Sequence, residues 1–196
     1  MIIGLAGKSC SGKNQVAEIL KQKGFHCIDM DLMAHDLLEA MKLTLSSAFG
    51  PSILDFEGRV DRKKLGNIVF SDSLLLKKLE DLLYPELHNE LTRYLKEVEP
   101  GIPTVLNAAA LQKGEFWRRC DIVIWVKAPL FLRLFRAYKR DKRSLLHLIK
   151  RFRAQKQLKS QYFLSRVDTY IIRNGLTRSV LQNKVETWIK HLPPER

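Results

Sequence analysis

The chain has 196 residues, the scale of one domain of about 150, and 45% of them are hydrophobic, enough for a core without metal or disulfide staples and too many for a disordered or fibrous chain. Lys and Arg number 34 against 21 Asp and Glu, a formal charge of +13 that favours phosphate-bearing partners and leaves open whether these are nucleotides, nucleic acid or a membrane. The three cysteines, Cys10, Cys27 and Cys120, form no Cys-x-x-Cys pair, which argues against a disulfide framework. No stretch approaches the roughly 18 apolar residues of a membrane span, and Met1 to Ala6 lacks a basic leader and a long apolar run. The expectation is a cytoplasmic protein without a membrane partner, a monomer or weak oligomer.

Ile2 to Ala6 is a short apolar run ended by glycine, and Gln15 to Leu20 has helical spacing that stops at Gly24, so the chain opens as strand, loop, helix. His26 to Asp29 is a second strand candidate, and Leu32 to Leu43 has helical periodicity. After turn signals at Phe49-Gly50-Pro51 and Glu57-Gly58, helical patterns run from Arg62 to Phe70 and, past Ser71-Asp72-Ser73, from Leu74 to about Val98. Thr104 to Leu106 and Ile122 to Val126 read as strands buried on both faces. Helices are expected from Leu130 to Arg140 and from Leu145 to Lys159, then a strand at Thr169 to Ile172 and a helix from Arg178 to Lys190. This alternation predicts an α/β fold with a central parallel sheet and helices on both faces.

Gly7-Lys8-Ser9-Cys10-Ser11-Gly12-Lys13 fits G-x-x-x-x-G-K, the opening of a phosphate loop, and lies between a strand-like and a helix-like run as that element requires. Glycines let successive N–H groups turn inward, the helix presents its positive end, and Lys13 reaches the outer phosphates. ATP is the expected nucleotide, with Gly7, Ser9, Cys10, Ser11, Gly12, Lys13 and Asn14 around its phosphates. Asn14 stands where Ser or Thr ordinarily ligates Mg²⁺, and its amide oxygen is the candidate metal ligand. Cys10 reads as a passive loop residue.

The charge is concentrated. From Arg133 to Lys159 there are eleven Lys and Arg against Asp141 alone, so this stretch carries +10 of the total. Such clustering suits a lid that neutralises a polyphosphate. A solvated basic face is the second reading. A nucleic-acid patch, with Phe135, Tyr138, Phe152 and Tyr162 nearby, is the third.

With the phosphate loop, Ile28-Asp29-Met30-Asp31 and the basic stretch in place, the chain resembles the dephospho-coenzyme A kinases nearly end to end. The similarity also runs through Ala48 to Leu54, Asp61-Arg62-Lys63-Lys64-Leu65-Gly66, Val69 to Asp72, Arg136, Arg140-Asp141, Arg151 and Gln155. The resemblance implies a P-loop nucleoside triphosphate hydrolase-like fold that phosphorylates the 3′-hydroxyl of dephospho-CoA with ATP and Mg²⁺. It implies a core of about residues 1–31, 99–139 and 157–196, a helical substrate-binding insertion at about 32–98 and a basic lid at about 140–150.

It further implies Asp31 as the residue that receives or orients the acceptor proton. Asp29 is the competing candidate, and helix capping is the other explanation for either carboxylate. Arg136 and Arg140 would stabilise the transferring charge, Asn174 would lie near the ATP base, and Arg62 and Leu65 would lie on the substrate side. Lys13, Asp31 and Arg140 are thus the expected catalytic group.

The chain departs from the family pattern at several positions. Asn107 to Lys113 occupies a stretch that usually carries two carboxylates, replaced here by Asn107 and Lys113. Tyr84-Pro85 stands for His-Pro, and Arg173 replaces an acidic residue beside Asn174. The net shift is toward positive charge. A kinase of another small acceptor, or an impaired relative that binds nucleotide or nucleic acid, are the alternative readings.

Overall fold

Five short apolar runs form one parallel sheet in the computed structural model, which describes residues 1–109, 111–141, 148, 152, 155, 157–175 and 177–192. In chain order the elements begin with β1 (Ile2–Gly7), α1 (Lys13–Gln22), β2 (His26–Asp29), α2 (Met30–Ala40), α3 (Lys42–Phe49), α4 (Arg62–Val69) and α5 (Ser73–Glu97). They continue with β3 (Thr104–Asn107), β4 (Ile122–Lys127), α6 (Leu130–Asp141), α7 (Gln161–Leu164), β5 (Asp168–Arg173) and α8 (Arg178–Lys190). By their contacts these divide into two units, one of Met1–Asp29 with Glu99–Arg196 and one of Met30–Val98.

The first unit holds the sheet, in the order β2-β3-β1-β4-β5. Register places Leu5 beside Asn107 and Asn107 beside Asp29, while Gly7 pairs with Val126 and Val126 with Ile172. Alternation decides which face each residue covers. Ile3 and Leu5 of β1, with Ile122, Ile124 and Val126 of β4, pack in one core with Val16, Ile19 and Leu20 of α1 and Leu181, Val185 and Trp188 of α8. Trp125, between two of those β4 residues, faces the other way and meets the Phe163 ring of α7 at 5.9 Å. Gly4 lies on that second face as well. A Cβ there would come within 2.5 Å of Leu111 and 3.0 Å of the Cys120 sulfur, so close approach excludes a side chain.

The second unit is helical. Asp61 caps α4, its carboxylate accepting from the Lys63 and Lys64 amides, and Asp72 caps α5 by accepting from the Leu74 amide. Leu45, Ile53, Leu65 and Val69 form its buried centre, with Leu38, Phe49, Leu76 and Leu79 packed around them.

Three expectations from the sequence need correction. The helix predicted from Leu32 to Leu43 is two helices, broken at Met41, whose φ of −90° and ψ of 13° leave the helical region. No glycine or proline marks that break. What redirects the chain is the burial of Leu45 in the helical core. The helix predicted to run to Lys159 has ended before Gln157, since residues 157–159 are turn and coil. The short α7 went unpredicted, because one turn gives no periodicity to detect. Most of that predicted helix, and of the lid at about 140–150, lies outside the described residues.

Leu20 is fully buried between α1 and the sheet. Leu20→Ala is expected to cost about 2–5 kcal/mol, read as a lower urea midpoint at unchanged slope. An unaltered midpoint would contradict this account of the core.

Candidate active site

The loop between β1 and α1 has its shape set by two residues in the left-handed region, Cys10 at φ 59° and Gly12 at φ 95°. Gly12 is the residue that precedes α1, and a Cβ there would run into the Asn174 side chain, so both its conformation and its surroundings require glycine. Gly7 is required for space. A Cβ on it would lie 2.7 Å from both the Ser11 hydroxyl and the Val126 carbonyl.

Three consecutive carbonyls of this loop are held from outside by three side chains. Arg133 Nε donates to Ser9 O at 2.9 Å, Arg136 Nη1 donates to Cys10 O at 3.5 Å, and Asn174 Nδ2 donates to Ser11 O at 2.9 Å. Two further contacts tie these braces together: Arg136 Nη2 donates to Asn174 Oδ1 at 3.4 Å, and Asn174 Nδ2 also reaches Gln15 Oε1 at 3.3 Å. Gln155 Oε1 accepts from the Ser9 amide at 2.9 Å and from Arg133 Nη2 at 3.5 Å. At the start of α1 the first helical N–H groups have no carbonyl of their own to bond, whereas in the loop the Ser9 amide is taken by Gln155 and the Ser11 amide by Lys8 O at 3.0 Å. Unbonded N–H groups at the positive end of a helix make an anion cradle.

Of the residues predicted for the site, the first unit therefore brings Gly7, Ser9, Cys10, Ser11, Gly12, Lys13, Asn14, Arg136 and Asn174 together. Lys13 is 9% exposed in the first turn of α1. Arg140 is in the last turn of α6 and pairs with Asp141, its Nε donating to Oδ1 at 2.6 Å, which raises its pKa above the ordinary guanidinium value.

The other predicted residues belong to the helical unit. Asp31 is exposed in the first turn of α2, a position where the helix dipole favours a carboxylate. Arg62, at the start of α4, borders a cavity of about 430 Å³ with His35, Asp36, Glu39, Asp55 and Arg59. Leu65 is 2% exposed, its side chain committed to the hydrophobic centre of that unit.

Asn107 ends β3 beside Asp29, buried, and its Nδ2 donates to Asn14 Oδ1 at 3.5 Å. Its own Oδ1 is buried without a hydrogen-bond partner. Mg²⁺ binds oxygen, keeps several waters and takes its remaining ligands from phosphates and one or two protein groups. An orphaned carboxamide oxygen beside a second carboxamide and a strand-end carboxylate fits that requirement. Among the described residues no set of three or more His, Cys, Asp and Glu is placed to cage a metal by itself, and a metal that arrives with phosphates needs none. No helix among them is long and apolar enough to cross a membrane. Burial pushes the Cys120 thiol up to about 12, which makes it a core residue and not a nucleophile.

Arg133, Lys8 and Lys159 were not predicted as site residues. The sequence held a signal for Arg133: it is four residues from Ala137, and these two form the buried line of α6. The number of neighbouring cations hid it. The guanidinium is 6% exposed and stacks 4.6 Å over the Phe152 ring.

Comparison with known proteins agrees with this geometry. The family model described as dephospho-CoA kinase matches residues 1–184. A dephospho-CoA kinase of Treponema denticola is 36% identical over 97% of this chain and 89% of its own length. Among solved structures, a Thermus thermophilus protein superposes with a TM-score of 0.84 at 27% identity, covering 99% of this chain and 98% of that one. A dephospho-CoA kinase from Campylobacter jejuni gives 0.71 at 26% identity, covering 96% and 95%. A match over nearly the whole chain leaves one assignment: the chain belongs to the dephospho-CoA kinase family.

Proposed function

We propose that the braced loop and the first turn of α1 hold the ATP phosphates while this chain performs its family's reaction. That reaction is the ATP-dependent phosphorylation of dephospho-CoA on its 3′-hydroxyl, the step that completes coenzyme A. The supporting observation is the set of three loop carbonyls turned outward by Arg133, Arg136 and Asn174. Alternative acceptors, and a purely binding role, are not favoured by a family match of this extent. The reaction draws on soluble ATP and dephospho-CoA, which in this reading places the chain in the cytoplasm.

In this reading the amides of Gly12, Lys13 and Asn14 meet the β- and γ-phosphates and the Lys13 ammonium follows charge onto the transferring group. The transition state is loose, so catalysis is chiefly positioning and charge stabilisation. Arg136 works through the loop it braces. Arg140, fully charged against Asp141, is the cation α6 offers to the leaving phosphates. Asn174 spends its amide hydrogens on the loop and Gln15, so its service to the nucleotide is to keep the cradle in shape. Asp31 accepts the hydrogen bond of the acceptor hydroxyl and aligns it for attack. In the helical unit, Arg62 offers a cation to the substrate and Leu65 holds α4 in place. Mg²⁺, when bound, neutralises phosphate charge. Asn14 and Asn107 would hold it with neutral oxygens, with Asp29 the nearest strand-end carboxylate.

Incubation of dephospho-CoA with ATP, Mg²⁺ and the purified protein is expected to add one phosphoryl group to dephospho-CoA by mass spectrometry. Lys13→Ala and Asp31→Asn should each lower turnover by about 10²–10³-fold with unchanged circular dichroism. Full activity in either variant would remove that residue from the mechanism, and an unmodified acceptor with the wild type would refute the function. Asn107→Asp restores a carboxylate beside Asn14 and is expected to lower the half-saturating Mg²⁺ concentration in the coupled ADP-release assay. An unchanged metal requirement would place the ion elsewhere.

A further inference from the structure

A second concentration of positive charge lies at the back of the phosphate loop. A cavity of about 210 Å³ is bordered by Lys8 and Ser11 of the loop, Trp125 of β4, Arg133 of α6, and Lys159 and Gln161 beyond it. Trp125 lies on the sheet face opposite α1, against Phe163, whereas the cradle lies at the N-terminus of α1. Arg133 also approaches the loop from its carbonyl side, through Ser9 O. The cavity is therefore a separate place from the first turn of α1.

Its chemistry calls for an anion. Arg133 is almost fully buried, its donors directed at Ser9 O and Gln155 and its face on Phe152. No carboxylate among the described residues pairs with Lys8 or Lys159. Burial first, then the charges of Arg133 and Lys159, hold the Lys8 ammonium below its ordinary pKa. Independently of charge, the Ser11 hydroxyl is buried on this cavity with no hydrogen-bond partner, although buried polar atoms are nearly always satisfied. A buried hydroxyl donor beside a half-buried ammonium and a second, exposed one is equipment that binds a tetrahedral oxyanion.

We propose that Lys8, Ser11, Arg133 and Lys159 form a second oxyanion site, distinct from the ATP cradle, that takes a group of the phosphate class. Lys8 and Lys159 supply charge to the oxyanion, Ser11 Oγ a hydrogen bond, and Arg133 couples the occupied site to the Ser9 peptide. The occupant is either a free anion or a phosphate of the acceptor, and the two sources share this chemistry. The site rests on its own geometry and holds whatever the acceptor proves to be.

The test is calorimetric titration of the full chain with inorganic phosphate while a nonhydrolysable ATP analogue and Mg²⁺ fill the cradle. Phosphate is expected to bind the wild type. Lys8→Ala and Lys159→Ala should each weaken it about tenfold or more, and Lys8→Arg should restore binding. No phosphate binding with nucleotide present, or equal binding by both alanine variants, would overturn the proposal. Repetition with saturating dephospho-CoA assigns the source. Loss of the phosphate signal gives the site to the acceptor's diphosphate, and additive binding gives it to a free anion. Phosphoryl transfer by the same wild-type sample tests the kinase reading separately, so one can fail without the other.

Discussion

The outward pull on the carbonyls of Ser9, Cys10 and Ser11 is the constraint on which the rest depends. A peptide plane is rigid, so holding a carbonyl also fixes the direction of the amide that follows it. The three braces come from different parts of the chain, two from α6 and one from the residue after β5. The ladder itself sets the last of these, since the Asn174 amide donates to Lys127 O at 2.8 Å and so continues the pairing of β5 with β4. The sheet thereby fixes the side chain that fixes the loop, so the proposed nucleotide cradle is organised without its ligand.

The loop and the central strands were legible because their signals are local. Glycines at the first and sixth positions of a seven-residue motif announce tight backbone, and the run Ile122 to Val126 announces a strand buried on both sides. The braces were not legible as braces. Arg133 and Ser9 are 124 positions apart and Asn174 and Ser11 are 163 apart, so no window of sequence contains both partners. Arg133 was read as one of eleven similar cations of a lid, while the fold buries it against Phe152 and leaves Phe131 and Phe135 of the same helix exposed. Composition cannot announce that inversion. The break at Met41 was likewise hidden, because tertiary burial of Leu45 and not a local breaker produces it.

The substitutions that set this chain apart from its family pattern form a physical set. Asn14 and Asn107 stand side by side, so two neutral amides replace the more usual hydroxyl and carboxylate at one spot. Meanwhile the loop carries Lys8, and Arg133 and Lys159 act on it. In the proposed mechanism, neutral amides at Asn14 and Asn107 and the cations near the loop would shift the neutralisation of phosphate charge from the ion toward the protein.

The central claim is that the amides of Gly12, Lys13 and Asn14 receive the triphosphate. The direct measurement is the shift of backbone ¹⁵N–¹H resonances as a nonhydrolysable ATP analogue is titrated into the labelled protein. The account predicts the largest changes at Gly12, Lys13 and Asn14, with Asn174 following through the loop. Saturable binding that leaves those three amides unmoved would contradict it.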